Sequence, residues 1–187
     1  MTLGEVSLKS SIREKIEWAE AFYLKYRDRF IKDPEICELL HRLKEAIYAS
    51  RREMANIGMT VECEFCEKDE GGSCCGAGME DRYDGGLLLI NLLLGAELPK
   101  RRYDPASCLF LGPDGCLLLA REVICINYLC QKILEHVDSK GIASLREKEG
   151  VELEVLFILR ERIRKICNTS YPTLSQKVRN CSKSTAK

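Results

Sequence analysis

Apolar residues recur at helical spacing near the start of the chain and again towards its end, and that rhythm fails between them. Ser11 and Glu14 stand as a capping box beside Ile12, Ile16, Ala19, Phe22, Tyr23, Tyr26 and Phe30, which predicts a first helix running to about Phe30. Asp33 followed by Pro34 is an N-cap with proline in the first turn. Ile36, Leu39, Leu40, Leu43, Ile47 and Met54 carry the next stripe, which ends near Gly58. So short a break between the two stripes predicts an antiparallel hairpin. Leu129, Ile133, Leu134 and Val137 restore the period as far as Gly141. Ser144 and Glu147 form a second capping box, which opens a helix through Val151, Val155, Leu159, Ile163 and Ile166.

Between Val61 and Cys130, glycine and cysteine replace the helical period. Gly71, Gly72, Gly76 and Gly78 mark a loop, Asp84 to Leu94 a short apolar helix, and Pro99 to Pro105 a basic loop with Lys100, Arg101 and Arg102. Two short apolar runs, after Cys108 and after Cys116, flank Gly112, Pro113, Asp114 and Gly115, which is turn chemistry for a small β-hairpin. The expected architecture is mainly α and a single domain over residues 1–187. Helices over 11–30, 34–55 and 144–167 form a bundle, and a cysteine-rich, loop-rich insert over 61–130 caps one end of it. The insert lacks the periodic apolar face that would let it pack unaided. The tail over 176–187 has Lys177, Arg179, Lys183 and Lys187 and no acid, and is expected to be disordered.

Composition changes this picture at one point. Twenty-nine basic residues balance twenty-nine acidic ones, so no net field marks nucleic acid as a partner. The longest apolar run, Leu87 to Leu94, is far short of the ~20 residues of a membrane span. The first residues, Met1 to Glu5, show no basic start followed by an apolar run, so the expected compartment is the cytoplasm. There thiols stay reduced or bind metal. Cysteine is the exception to an ordinary composition, with eleven in 187 residues. Eight of them, Cys63, Cys66, Cys74, Cys75, Cys108, Cys116, Cys125 and Cys130, lie where a uniform scatter would put about four.

Their spacing carries more than their number. Cys63 and Cys66 make a C-x2-C turn able to aim two thiolates at one cation, and the vicinal pair Cys74 and Cys75 follows after a glycine-containing loop. Only these four are close enough in sequence for a single loop to preorganise them, so they are expected to share a centre. Thiolate clusters need backbone N–H groups and positive charge nearby, which the glycines and Arg82, Lys100, Arg101, Arg102 and Arg121 can provide.

The pattern resembles the CxxCxxCC proteins, or YkgJ family, zinc- or iron-chelating domains. The resemblance covers the middle third of the chain. It rests on the C-x2-C, the vicinal pair, Cys108 with its following apolar residues and Gly115 with Cys116, and Arg121 to Cys125 followed by Cys130. Two departures stand out: seven residues separate Cys66 from Cys74, where the family is tighter, and Glu122 replaces the proline expected after Arg121. The resemblance implies metal binding. Part of the family is also similar to flagellin lysine N-methylases, but no glycine-rich strand-to-helix motif for a nucleotide or S-adenosylmethionine is visible here.

Zinc accepts four thiolates in a tetrahedron, and eight cysteines could close two structural sites. An iron–sulfur cluster such as [4Fe–4S] also takes four, and its neighbouring irons let adjacent thiolates reach one cluster, which tips the reading towards iron. Three functions follow: an iron–sulfur protein with a redox or electron-transfer role and a protein redox partner, a zinc-stabilised structural or interaction module, and a methylase-like enzyme. Other residues favour plainer roles. Cys37 and His41 read as half-buried packing, His136 as a partner of a helix C-terminus, Cys167 and Cys181 as packing or surface residues, and the aromatic stripe from Trp18 to Phe30 as core.

Overall fold

The computed structural model describes residues 7, 9–68 and 74–170, with the side chains of 68 and 167–170 left aside. Cys167, Cys181 and the tail over 176–187 therefore lie outside the described side chains. In chain order the elements are α1 (Ile12–Ile31), α2 (Pro34–Asn56), α3 (Met59–Lys68), a 3-10 turn (Met79–Arg82), α4 (Gly85–Leu93), β1 (Leu111–Gly112), β2 (Gly115–Cys116), α5 (Val123–Asn127), α6 (Gln131–His136) and α7 (Ser139–Ser170). No helix among the described residues is long and apolar enough to cross a membrane.

The caps legible in the sequence are formed. Ser11 and Glu14 exchange their bonds in a capping box at the head of α1. Asp33 accepts from the backbone N–H groups of Glu35 and Ile36, both at 3.1 Å, and Asp84 accepts from Leu87 at 2.7 Å to start α4. In the hairpin Leu111 faces Cys116 and Gly112 faces Gly115. Gly115 sits at φ +108°, which L side chains rarely adopt, so the turn requires it.

The packing departs from a three-helix bundle with an insert at one end. α2 and α7 run antiparallel: Arg162 bonds Asp33 at 2.8 Å at one end, and the Ser50 hydroxyl bonds Glu152 further along. α1 packs chiefly on α4 and touches α2 only slightly, which corrects the expected hairpin. Leu87, Leu88, Leu89 and Ile90 of α4 are all fully buried, in a core that also takes Ile16 and Phe22 from α1, Leu39 and Leu43 from α2, and Leu156 and Leu159 from α7. A helix apolar on every side must be covered on every side, so α4 becomes the centre of the molecule. The insert over 61–130 therefore has an apolar face after all, and does not cap a bundle complete without it.

Two further corrections concern helix ends. The helix expected over Leu129–Gly141 stops at His136, and Asp138 accepts from the N–H groups of Lys140 (3.1 Å) and Gly141 (3.2 Å), so α7 begins five residues before the box at Ser144. Asp138 outcompetes that box because its carboxylate satisfies two of the amides a helix start leaves bare. Gly141 is consequently inside α7, where a Cβ would stand 3.0 Å from Ile57 Cγ2 just past α2. The cysteine region is also less loop-like than its glycines suggest, since Cys63 and Cys66 lie on α3 and Cys125 on α5. A second, small core of Met59, Ile133, Val137 and Leu145 joins α3, α6 and the start of α7.

Candidate metal centre

Helical spacing puts Cys63 and Cys66 on neighbouring positions of α3, one turn apart. Cys63 packs against the small core, and so does Cys130, which occupies the N-cap position of α6 without using its side chain to cap. His136 of α6 meets Glu62 of α3 at 3.0 Å, beside the small core these helices share. The vicinal segment is tied elsewhere. The N–H of Cys108 donates to the Cys75 carbonyl at 2.6 Å, that of Ala77 to Ala106 at 2.8 Å, and Gly76 pairs with Ser107. From Cys108 the chain enters β1, whose Leu111 faces Cys116. Cys75, Cys116 and Cys125 all pack against the large core, and Cys108 is part of it.

Several residues that carry no sequence signal build this arrangement. Asn91, fully buried on α4, donates to the carbonyls of Leu87 (3.0 Å) and Ala120 (2.8 Å) and accepts from the Ala120 N–H at 3.0 Å. It thereby fixes the segment leading to Arg121 and Cys125. Glu80, 2% exposed, accepts from the N–H groups of Gly78 (3.0 Å) and Leu109 (3.4 Å) and pairs with Arg102. Burial alone would push its carboxyl up, but the Arg102 guanidinium and the N–H groups of Glu80 itself and Leu109 hold it below its usual range. Buried Lys15 of α1 donates to the Asp81 carbonyl at 2.8 Å. A lone Asn, Glu or Lys reads as polar surface until its partners, distant in sequence, are known.

None of the nine cysteines whose side chains are described is joined in a disulfide. Burial pushes the Cys63 thiol up to about 11, helped by the charges of Cys74, Cys130 and Cys66 and opposed by Arg121. Burial likewise brings Cys108 to about 11, with Glu80, Cys116 and Cys125 adding to it. Cys125 is raised by burial and by Cys116, while a hydrogen bond with the Tyr83 hydroxyl pulls it back. Cys74, hydrogen-bonded to Cys75, is lowered to about 6, and the same contact drives Cys75 far up. Most of these thiols are thus protonated at neutral pH, and a cation binding them must displace protons.

The positive charge comes from residues only partly foreseen. Lys100 pairs with Glu20 at 2.9 Å, Arg102 pairs with Glu80, and Arg82 and Arg101 are exposed, so the basic loop is not the main countercharge. Arg121 acts on both Cys63 and Cys125. Arg51 of α2, unremarkable in sequence, donates to the Leu118 and Leu119 carbonyls; burial and the neighbouring Arg121 pull its guanidinium below the usual range, against the charge of Cys116. Cys37 and His41 are both exposed, not half-buried, and the Cys37 thiol donates to the Ile31 carbonyl at 3.1 Å.

Among the described residues no group of three or more Cys, His, Asp or Glu side chains stands close enough to hold a metal ion. The donor set nevertheless fits a thiolate-bound group in its chemistry. The Nε of Arg121, beside Cys63 and Cys125, is buried without a hydrogen-bond partner, which suits a site that gains negative charge when its thiols ionise. No family model, no curated protein and no solved structure matches the chain.

Proposed function

We propose that this protein binds metal through Cys63, Cys66, Cys74, Cys75, Cys108, Cys116, Cys125 and Cys130, as an iron–sulfur protein with a redox or electron-transfer role. The observation that carries the reading is the convergence of thiols from separate segments. Cys130 meets the same small core as Cys63 from 67 positions away in sequence, and Cys75, Cys108, Cys116 and Cys125 all meet the large core. Thiolates suit iron–sulfur clusters and zinc above other partners. The CxxCxxCC resemblance supports the same reading, and a cluster of this kind would exchange electrons with a protein redox partner.

Zinc is the second reading, favoured by the small core of Met59, Ile133, Val137 and Leu145, so slight that a closed thiolate site would serve as its staple. Anaerobic purification separates the two. A brown protein with broad absorption near ~400 nm supports iron–sulfur, and a colourless protein with stoichiometric zinc supports the structural role. A chain that takes up neither zinc nor iron with sulfide overturns metal binding altogether. The methylase-like alternative needs S-adenosylmethionine binding, which calorimetry reads directly.

A further inference from the structure

We infer that Cys37 and His41 of α2 are half of a zinc site that a second copy of the chain completes, so that one ion joins two molecules through four side chains. The site shares no residue with the eight cysteines of the proposed metal centre and does not depend on them.

The pair stands on the outer face of a well-anchored helix. Asp33 caps the first turn of α2, and Arg162 of α7 bonds that cap at 2.8 Å. Ile36, Leu39, Leu43 and Ile47 turn into the large core, which leaves Cys37 and His41 exposed on the side away from it. Residues four apart on a helix are neighbours, with Cβ atoms roughly 5–6 Å apart. The Cα–Cβ bonds of a helix tilt towards its N-terminus, which directs His41 back over the turn that carries Cys37. The Cys37 thiol donates to the Ile31 carbonyl at 3.1 Å, a bond made at the surface, where water can replace it.

Thiolate sulfur and imidazole nitrogen are favoured donors for zinc, and two of each close a tetrahedron. Two ligands four apart on one helical face already form a chelate for this ion. One chain supplies no more than these two, since no group of three or more Cys, His, Asp or Glu side chains comes together among the described residues. Symmetry supplies the rest. In a two-fold dimer the same patch faces itself, so each chain's Cys37 and His41 meet the same two residues of the other across an axis through the ion. Binding releases the two thiol protons to solvent, and the two thiolates offset the charge of the ion.

The surroundings suit a second copy. Tyr48, two turns beyond His41 on the same face, and Ile31, whose carbonyl the Cys37 thiol bonds, are each 46% exposed. A copy seated on the ion covers such apolar surface. Lys44 and Glu45, exposed beside the pair, are of opposite sign, so like charge does not hold the copies apart.

The test is the mass of the full-length protein by sedimentation equilibrium under reducing conditions, with and without Zn2+. Zn2+ should double the mass and EDTA should restore it, whereas Mg2+, which takes oxygen ligands, should leave it unchanged. Cys37→Ser and His41→Ala should each stay monomeric in Zn2+. Both positions are exposed, circular dichroism confirms that each variant is folded, and either one decides alone. Cys74→Ser, altered only among the other thiols, should dimerise as the wild type does. A mass that Zn2+ does not change, a dimer that survives either substitution in the pair, or a Cys74→Ser variant that no longer dimerises overturns the inference. Each of these outcomes leaves the iron–sulfur reading to its own test.

Discussion

Tyr83 shows how much one side chain can contribute beyond its area. Its ring is 1% exposed and packs on Phe110, while its hydroxyl stands between the Glu122 N–H and the Cys125 sulfur. Tyr83→Phe keeps the ring and removes the hydroxyl, so the Cys125 thiol of the metal-free protein should ionise at higher pH than in the wild type. Alkylation followed across pH by mass spectrometry reads that shift at Cys125 alone. An unmoved profile would mean that the hydroxyl serves the backbone and not the sulfur. None of this is visible in the sequence, where Tyr83 stands between a charged turn and a glycine pair with no periodic neighbour to place it.

Elements were legible where an apolar stripe met a strong cap. α1, α2 and α4 each begin at a side chain whose bonds the sequence announces, and the hairpin is declared by its proline and glycines. α3 was hidden because Val61 and Phe65 face solvent, at 66% and 52% exposure, and leave the helix no apolar stripe to detect. The pairing of α1 with α4 was hidden for a different reason: a helix apolar all round says that it is buried, but not by which neighbour. Two predictions belong at this scale. Leu159→Ala, at a fully buried position of α7, should cost about 2–5 kcal/mol in denaturant unfolding; a change near zero would mean that the site collapses around the smaller side chain. Removing metal should raise hydrogen exchange in α3, α5 and α6, which hold the thiols on little core, and leave α4 protected. Equal exchange in α3 and α4 would show that the small core stands without a metal.

For the molecule as a whole, the raised thiols make stability depend on pH in a definite direction. Folding moves Cys63 and Cys108 from the ordinary thiol value of 9.0 to about 11, so between those values the folded metal-free protein holds protons that the unfolded chain has released. Their contribution is therefore present in full below pH 9 and is lost as the pH rises towards 11. Denaturant midpoints of the metal-free protein should fall across that window, and more steeply than those of the metal-loaded protein, whose thiols are already ionised. Parallel curves for the two forms would show that other groups govern the alkaline limit. The antiparallel pairing of α2 with α7 has a consequence of another kind. Asp33 and Arg162, which clasp its end, are 129 positions apart, and the stripe of Ile36, Leu39, Leu43 and Ile47 shares its core with Val155, Leu156, Leu159 and Ile163. During synthesis that stripe leaves the ribosome long before its cover exists, so the growing chain carries a bare greasy surface. Until the last long helix has emerged, that surface is exposed to aggregation.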